Sequence, residues 1–349
     1  MGKSDRSTVY NNITNEQLLS KVNPDNIELE EDFLDYLSSV DRAETTIRQY
    51  KAVLHVFWVW NLEFNSNKGF THLFKREIVK FQNHAINNWG WSANRMKNVK
   101  ATMRSLERYI INILDDEYPD YKPIWDKIES PVGEAVRPKS VFTDKELQLL
   151  LDTLVSRGEY AKACLVSLAM NSGRRKAELC RFKVSFFKDE YLICDGAMYK
   201  SPEKIKTKGH GRMGKLLYVY TLAKPFKPYL ELWLKQREEN GIESDWLFPM
   251  VRGGKVFDCP MLTSTIDSWC DCFTDIIGKK YYSHSMRHYF VSKLSSNNIP
   301  AKVIKDIIGW ADTALVDVYD DTDAEENFDK YFGADGIKKV EEKDITELE

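Results

Sequence analysis

Hydrophobic side chains recur every three or four positions through the first third of the chain. This spacing predicts helices over residues 30–40, 43–60, 75–88 and 93–114. Thr45 or Thr46 is the expected N-cap of the second of these helices. Residues 1–30 show no strong periodicity, so we expect a flexible arm there, followed by a helical domain over residues 31–115.

The predicted helix over residues 93–114 has two distinct faces. Its apolar stripe, which predicts the packed face, consists of Met96, Val99, Met103, Leu106 and Ile110. Its basic stripe, turned away from the first, consists of Lys97, Lys100, Arg104 and Arg108. Such a stripe is often only a solvated face, but Glu107 is the only acidic residue between Arg95 and Arg108. Because it is not neutralised within its own helix, the stripe favours contact with DNA phosphates.

The pattern changes after the fourth helix. Residues 116–140 contain four prolines and mixed charge, which predicts a linker. Thr143 and Glu146 form a capping-box sequence that opens a second helical domain, expected over residues 141–332. Short β-rich pieces on both sides of a turn rich in Gly and Lys predict a small antiparallel sheet within residues 191–220. Further helices are expected over residues 228–239, 261–277, 284–296 and 301–310.

The chain as a whole is therefore predicted to be mainly α with a small antiparallel β-sheet. Its 43% hydrophobic and 30% charged residues supply both a core and a surface, as in a soluble globular protein. No apolar run approaches the roughly 20 residues that span a bilayer. The polar N-terminal sequence has no apolar signal segment, so a cytoplasmic location without membrane contact is expected. The six cysteines form no CxxC pair and are expected to be reduced.

Charge is distributed unevenly along the chain. The net charge of −3 argues neither for nor against a nucleic-acid partner until it is divided. Residues 320–349 hold 12 acidic and 4 basic side chains, a net of −8, which leaves +5 on residues 1–319. A C-terminal region that ends in an acidic tail, assigned to residues 333–349, thus masks a basic body.

Four short stretches of the second domain carry the candidate chemistry, and the first three of them are rich in basic side chains. Two of them read "NSGRRKAELCRF" and "KIKTKGHGRMGK". The third places His284 and Arg287 on one helical face, and in the fourth Tyr319 follows Trp310 by nine residues. Such regions of positive charge suit an anion, and a phosphate is the expected one.

A phosphodiester resists attack because it is itself an anion. Two guanidinium groups on its oxygens would neutralise that charge and stabilise the pentacoordinate transition state of cleavage, a role that suits Arg175 and Arg287. A phenol, with a pKa of about 10, is a weak nucleophile and needs a positive site beside it. Tyr319 next to such a cluster would attack phosphorus.

The order of these motifs resembles that of the tyrosine recombinase (phage integrase) family. Its catalytic domain carries an Arg within Gly-x-Arg-x-x-Glu, a Lys on a β-turn, a His-x-x-Arg pair, a His or Trp after Gly, and a nucleophilic Tyr. The residues here that match are Arg175, Lys208, His284, Arg287, Trp310 and Tyr319. Residues 33–115, notably "TTIRQYKAVLHVF", resemble the family's helical core-binding domain, so the resemblance covers roughly residues 33–332.

The resemblance implies a helical SAM-like core-binding domain followed by an α+β catalytic domain. It implies a site-specific recombinase that cleaves and rejoins DNA through a 3′-phosphotyrosine, without cofactor, metal or ATP. Lys208 would be the general acid for the leaving 5′-oxygen, and His284 would bind the phosphate and share protons. Trp310 would donate its indole N–H to a phosphate oxygen, and Glu178 would orient its neighbours.

Two assignments stay open at the level of sequence. Arg174 and Arg175 are adjacent, and only the spacing to Glu178 favours Arg175. Lys206 and Lys208 compete for the turn position, and the following glycine favours Lys208.

The resemblance also implies partners. Both domains are expected to bind double-stranded DNA, with Arg48 and Arg212 as further contacts, and four protomers would assemble on two sites through a Holliday junction. The acidic segment after Tyr319 contains Phe328, Tyr331 and Phe332 as apolar anchors, and it is expected to dock onto a neighbouring protomer. An accessory DNA-bending or directionality factor and a prokaryotic, nucleoid-associated setting are further expectations, as for an enzyme of a mobile element, a phage or a chromosome-resolution system.

Two other functions are compatible with parts of this pattern. A type IB topoisomerase-like enzyme would use the same chemistry to relax supercoils, but the helical domain over residues 33–115 argues against it. A non-catalytic DNA-binding protein on the same fold would not need the full set of Arg, Lys, His and Tyr residues that the chain carries.

Overall fold

In the computed structural model, the chain forms two compact units, with the main boundary between Pro138 and Lys139. The structure describes Tyr10 and residues 12–132, 142–209, 211, 214–319, 332–333 and 336–337, without the side chains of 317–319 and of the last two pairs. The main boundary falls within the segment predicted as a linker, residues 116–140. The division of roles between a DNA-binding and a catalytic domain stays a prediction.

The first unit is built from helices around an aromatic core. Its helices are α1 Glu16–Leu19, α2 Pro24–Ser39, α3 Glu44–Phe64, α4 Lys75–Asn87 and α5 Ala93–Ile113, with short 3₁₀ helices at Phe70–His72 and Trp125–Lys127. The ring of Phe57 lies at the centre and meets Phe81 edge-on at 5.0 Å and Trp125 at 5.4 Å. Edge-to-face packing of large rings gives this unit its core.

The flexible arm predicted over residues 1–30 is wrong for the part from Thr14 onwards. Helix α1 begins at Glu16 and α2 at Pro24, and the side chains of Val22 and Leu29 are buried in the core. Asn23 accepts a hydrogen bond from the Asp25 backbone N–H at 2.9 Å and so caps α2. An Asn-Pro pair is a helix-start signal that hydrophobic periodicity does not register.

The cap predicted for the next helix is also wrong. Helix α3 starts at Glu44, earlier than a Thr45 or Thr46 cap allows, and its N-cap residue Ala43 makes no side-chain capping bond. The helix continues to Phe64, beyond the predicted end at residue 60.

The second unit is an α+β body. Its helices are α6 Asp144–Ser156, α7 Tyr160–Ser172, α8 Lys176–Leu179, α9 Ala223–Glu239, α10 Thr263–Ile277, α11 Ser285–Ser296, α12 Ala301–Ile308 and α13 Ala314–Tyr319. The predicted capping box is confirmed, because the Glu146 backbone N–H donates to Thr143 Oγ1 at 3.2 Å and Thr143 N–H donates to the Glu146 carboxylate at 2.8 Å. Helix α7 is buried along most of its length and forms the centre of the unit.

The strands form small, separate antiparallel sheets. They are β1 Leu192–Ile193, β2 Met198–Lys200, β3 Ile205–Thr207, β4 Lys215–Leu217, β5 Tyr220–Leu222, β6 Pro249–Arg252, β7 Lys255–Pro260, β8 Phe332–Gly333 and β9 Gly336–Ile337. Strands β1, β2 and β5 pair in that order, and β3–β4, β6–β7 and β8–β9 are two-stranded hairpins. The mainly helical fold class is confirmed, whereas the single predicted sheet is divided in two. No helix in the described part of the chain combines the length and the apolar character needed to cross a membrane.

Candidate active site

The turn after α7 is the first structural element of the site. Gly173 ends the helix with φ 59°, in the left-handed region that favours glycine. A Cβ atom at Gly173 would lie 2.5 Å from Cδ1 of Phe290 and 2.8 Å from Cδ1 of Ile308, so the position also excludes a side chain by contact. This close approach sets the direction in which Arg174 and Arg175 leave the turn.

Arg175 is oriented by a buried carboxylate. Its Nη1 donates to Glu178 Oε1 at 3.0 Å, and its backbone N–H donates to Glu178 Oε2 at 3.2 Å. The Glu178 side chain is 2% exposed, whereas that of Arg175 is 34% exposed. The pair therefore holds a guanidinium group in place while leaving part of it open to a ligand.

Arg174 lies in a different environment. It is 1% exposed, and its guanidinium donates to the carbonyl oxygens of Ile307 and Ile308 at the end of α12. Burial lowers the pKa of Arg174 to about 10, an effect that Arg175 adds to and Glu178 opposes, so the group is still charged at neutral pH. Of the two adjacent arginines, Arg175 is the one with an accessible side chain.

Helix α11 contributes the next two predicted residues. His284 occupies its N-cap position, and Arg287 is fully buried one turn later. Arg287 Nη1 donates to the carbonyl oxygen of Gly173 at 3.1 Å, which joins α11 to the turn that carries Arg175. Residues more than 100 positions apart in sequence thus meet at one place.

The electrostatics of His284 agree with this proximity. Its pKa is lowered to about 4, first by burial and then by His288, Arg287 and Arg175, with Glu178 acting in the opposite direction. Part of the side chain nevertheless remains exposed. At neutral pH the imidazole is therefore uncharged, and a ligand can still reach it.

Trp310 is the last residue of the cluster along the chain. Helix α12 ends at Gly309 with φ 77°, and a Cβ atom there would lie 2.4 Å from Cδ1 of Leu217 on β4. The Trp310 side chain that follows is 7% exposed, and its ring centroid lies 5.0 Å from Cζ of Arg287. A guanidinium over an indole ring is a favourable cation–π contact, and it fixes both groups.

The β3–β4 hairpin carries the two candidate lysines. Lys206 and Lys208 are both exposed; Lys206 lies within β3 and Lys208 directly after it. Lys215 on β4 donates to the carbonyl oxygen of Gly309 at 3.5 Å, so the hairpin adjoins the Trp310 turn. Lys208 forms no ion pair with any residue that the structure describes.

The structure therefore brings together five of the predicted residues in one cluster. They are Arg175, Glu178, His284, Arg287 and Trp310. Lys208 lies on the adjoining hairpin. Tyr319 ends helix α13, but its side chain lies outside the described residues, as does all of Arg212. The sequence did not predict that Arg174 and Lys215 contact the turn at the end of α12. For Arg174 the adjacent pair of arginines was the one feature of the sequence that could have indicated a structural role.

The basic stripe on α5 is only partly as predicted. Lys97 and Arg108 are exposed, but Lys100 is 1% exposed and its ammonium donates to the carbonyl oxygen of Ile128. Burial lowers the pKa of Lys100, and the nearby Arg104 lowers it further. The prediction of an exposed ammonium group at Lys100 is therefore wrong, because the segment after α5 covers it.

Acidic partners from outside the helix also alter the stripe. Arg104 Nε lies 2.5 Å from Asp126 Oδ1, so its charge is partly neutralised by a later segment. Glu107 is buried and accepts the backbone N–H groups of Ile124 at 2.6 Å and Trp125 at 3.2 Å. Arg48 on α3 is exposed and pairs with Glu44 at 3.3 Å, a contact of little energy at a solvated surface.

Among the described residues, no group of three or more His, Cys, Asp and Glu side chains is placed to hold a metal ion. The polar groups of the cluster are instead mostly donors: guanidinium, imidazole and indole N–H. Donors of this kind suit the oxygens of a phosphate.

Comparison with protein families identifies the second unit. Residues 140–326, more than half of the chain, match the model of the phage integrase family. Tyrosine recombinase XerC of Pseudomonas entomophila (strain L48) is 23% identical over 249 residues, which are 70% of this chain and 73% of the relative. Tyrosine recombinase XerD of Chlamydia pneumoniae is 23% identical over 248 residues, or 68% of this chain and 75% of the relative.

Solved structures share the fold. A XerH site-specific recombinase bound to palindromic difH substrate, in a post-cleavage complex, superposes with a TM-score of 0.62 at 16% identity over 86% of this chain and 93% of that chain. A lambda integrase tetramer bound to a Holliday junction superposes with a TM-score of 0.61 at 14% identity, over 92% of this chain and 81% of that chain. A lambda integrase dimer bound to a COC′ core site superposes with a TM-score of 0.61 at 16% identity, over 88% of this chain and 81% of that chain.

Proposed function

The chain belongs to the phage integrase family of site-specific tyrosine recombinases, which act on DNA, and on that premise we propose that it holds one phosphate with Arg175, His284, Arg287 and Trp310. One observation carries the proposal: Arg287 contacts both the Gly173 turn and the Trp310 ring. That contact gathers three distant segments around one point. The phosphate would be the scissile one of a recombination site.

Charge neutralisation is the first task of this site. Arg175 would donate to a non-bridging oxygen of the phosphate, and Arg287, which is fully buried in the protein without DNA, would donate to a second one once the cluster opens to admit the phosphate. Both would stabilise the negative charge that grows in the pentacoordinate transition state. Glu178 holds Arg175 through two hydrogen bonds, so the guanidinium does not need to reorganise when the phosphate binds. Fixed positive groups of this kind supply the charge stabilisation from the protein itself.

The covalent step would be made by Tyr319. Its phenolic oxygen would release its proton to solvent and attack phosphorus, the bond to the 5′-oxygen would break, and the product would be a 3′-phosphotyrosine. Lys208 would donate a proton to the leaving 5′-oxygen. The energy of the broken phosphodiester would be kept in the new ester, so that rejoining needs no ATP.

His284 would enter this reaction as a neutral imidazole. With a pKa of about 4 in the free protein, it can donate through one ring nitrogen and accept through the other at neutral pH. A phosphate bound beside it would raise that pKa, because the anion favours the protonated ring. His284 would thereby share a proton with the phosphate during the step.

Recognition of the duplex would use both units. The exposed Lys97 and Arg108 on α5 would contact backbone phosphates, with Arg104 and Arg48 contributing less because each is paired with a carboxylate. Lys100 is not part of this proposal, since it is buried.

Assembly would follow the pattern of two structural relatives. Lambda integrase is found as a dimer on a core site and as a tetramer on a Holliday junction. By that likeness this chain would assemble as a tetramer on double-stranded DNA, with its C-terminal segment docked onto a neighbouring protomer. The reaction would take place in the cytoplasm of a prokaryotic cell, at the nucleoid, with or without an accessory DNA-bending or directionality factor.

A covalent-capture experiment tests the proposal. Nicked duplexes with randomised sequence flanking the nick are incubated with the protein, and the protein is then denatured. The DNA that stays covalently bound to the denatured protein is recovered and sequenced. We expect recovery of a defined site by the wild-type protein and none by Tyr319→Phe. Absence of any adduct from the wild type would support a non-catalytic DNA-binding protein instead. Relaxation of a supercoiled plasmid without joining of two separate duplexes would support a topoisomerase-like enzyme.

A further inference from the structure

Arg174 is a buried charge that the proposed reaction does not use. It follows Gly173, precedes Arg175, and is among the most deeply buried large side chains of the second unit. Its guanidinium donates to Ile307 O and to Ile308 O, the latter at 3.3 Å, and these are the last two residues of α12. A cation at the C-terminal end of a helix satisfies carbonyls that have no partner within the helix and complements its dipole.

The contacts of Arg174 complete a closed loop of interactions. Gly173 O accepts from Arg287, and the Arg287 guanidinium lies over the Trp310 ring. Trp310 follows Gly309 at the end of α12, whose last carbonyls accept from Arg174. Arg174 is covalently joined to Gly173. Each of the three segments that supply the candidate phosphate ligands is thereby fixed to the other two.

A second buried arginine in the same unit, Arg237, provides a comparison for Arg174. Arg237 is 4% exposed and donates to the carbonyl oxygens of Trp246 and Leu247 at 2.8 and 2.9 Å. It binds backbone carbonyls as Arg174 does, but its acceptors lie in a loop that carries no candidate catalytic residue. Arg237 is therefore a matched example of an arginine that serves the fold alone.

We propose that Arg174 is a positioning residue for the recombination reaction, which sets the place of Trp310 and, through the Trp310 ring, of Arg287. The inference rests on the proposed function, since it concerns the same phosphate site. Arg174 touches neither DNA nor the reacting atoms in this account. It acts by holding the end of α12 against the Gly173 turn.

The test uses the nicked duplex recovered in the covalent-capture experiment. The rate of adduct formation and the dissociation constant for that duplex are measured for the wild type and for Arg174→Met, which keeps side-chain length but has no donor. We expect adduct formation to slow by about ten- to a hundredfold, as for a small misplacement of catalytic groups. The dissociation constant should stay unchanged, because Arg174 makes no contact with DNA.

A double-mutant cycle separates positioning from general stability. In a Trp310→Ala background the further change Arg174→Met should slow the adduct by less than about twofold, because the group that Arg174 positions is already gone. Arg237→Met is the control: it should leave the adduct rate unchanged in the wild type and should show no coupling to Trp310→Ala. Arg174→Lys, which keeps charge but loses the two-pronged donor geometry, should show an intermediate rate.

The outcomes separate this inference from the proposed function. No adduct from the wild type contradicts the proposed function as a whole. A wild-type adduct together with equal slowing by Arg174→Met in both backgrounds overturns only the positioning role. If Arg174→Met does not fold, as judged by circular dichroism, Arg174→Lys carries the same cycle. Loss of the fold in both, while Arg237→Met stays folded, would also overturn the role, because Arg174 would then act on overall stability.

Discussion

At the scale of single residues, the site depends on side chains that share a charge environment. Arg175, Arg287 and His284 lie close enough for the two arginines to lower the pKa of the histidine. Glu178 is the buried carboxylate of this group, and it pairs with Arg175. The result is a cluster of donors with excess positive charge and a neutral imidazole, a combination that suits the oxygens of a phosphate diester.

Removing Arg175 should abolish most of the catalytic rate without unfolding the protein. The Arg175→Ala variant loses a donor to the developing charge, and we expect adduct formation to fall by about 10²- to 10³-fold. The change removes the guanidinium partner of the buried Glu178, which weakens the fold, but Glu178 keeps the backbone N–H of residue 175 as a donor, so the protein should stay folded. The measurement is single-turnover adduct formation at saturating duplex, with Arg157→Ala, an exposed arginine of the same unit, as the control. Loss of one such donor typically costs about 10²-fold in rate. If Arg175→Ala forms the adduct at close to the wild-type rate, Arg175 is not one of the catalytic residues.

The lowered pKa of His284 predicts a specific dependence of stability on pH. Because the folded pKa is about 4 and the unfolded value is about 6.5, the unfolded chain binds more protons between those values. The free energy of unfolding should therefore decrease as pH falls from about 6.5 towards 4, and His284→Gln should reduce that decrease. Thermal melts of both proteins across this range, with the exposed His72→Gln as control, measure it. An identical pH dependence in wild type and His284→Gln would contradict the assignment.

At the scale of elements, tight turns set where the catalytic side chains stand. Gly173 and Gly309 each end a helix with a backbone in the left-handed region. Gly173 is followed by Arg174 and then Arg175, and Gly309 is followed by Trp310. Phe290 and Ile308 occupy the space that a side chain at position 173 would need, so the absence of one lets α7, α11 and α12 come together. A turn of this kind converts helix packing into the placement of a guanidinium group.

Substitution of Gly173 should cost more than substitution of an equivalent open glycine. Gly278 ends α10 with φ 70°, and a Cβ added there would meet no atom within 4 Å, whereas one at Gly173 would meet Phe290 at 2.5 Å. Both alanine variants incur the left-handed penalty of roughly 1–2 kcal/mol. Gly173→Ala should incur about 1–3 kcal/mol more from overpacking against buried side chains. Urea unfolding compares them, and equal losses of stability would contradict the described packing.

The α5 helix supplies a test of DNA contact within one element. Lys97→Gln and Arg108→Gln should each weaken binding to duplex DNA and lower the slope of log K against log salt by about 0.9. Lys100→Gln should leave that slope unchanged and instead destabilise the fold, because the Lys100 ammonium is buried against Ile128 O. Salt titrations of duplex binding decide between these effects. A lower slope for Lys100→Gln alone would contradict this division of the helix into buried and DNA-facing cations.

The sequence predicted helices and motif order better than contacts between distant segments. The apolar stripe of α5 and the capping box at Thr143 were correct because each depends on residues close together in the chain. Burial of Lys100 was not predictable, since it depends on a segment that returns from beyond the helix. The same reason applies to Arg174, whose acceptors lie more than 130 positions away. The motif order nonetheless gave the residues that meet in the cluster.

At the scale of the whole molecule, the two units and the C-terminal region divide the work of recombination in this account. The body of the chain is basic and the C-terminal region acidic, so residues 1–319 carry a positive net charge that the total of −3 conceals. Assembly would then depend on a segment outside the catalytic cluster.

Deletion of residues 323–349 separates assembly from DNA binding. The deletion removes ten acidic and four basic side chains and changes the net charge from −3 to +3. We expect the shortened chain to bind a single recombination site but to fail to join two sites into one complex. Native mass spectrometry or analytical ultracentrifugation of the complexes measures this. Unchanged assembly would show that the segment does not dock between protomers.

The central claim is that the phenolic oxygen of Tyr319 and the arginine cluster act on one phosphate. Mass spectrometry of the trapped protein–DNA adduct, after digestion of both partners, tests it most directly. The account predicts a nucleotide joined through its 3′-phosphate to the peptide that contains Tyr319, and no adduct from Arg287→Ala. A covalent bond to any other residue, or full adduct formation without Arg287, would contradict it.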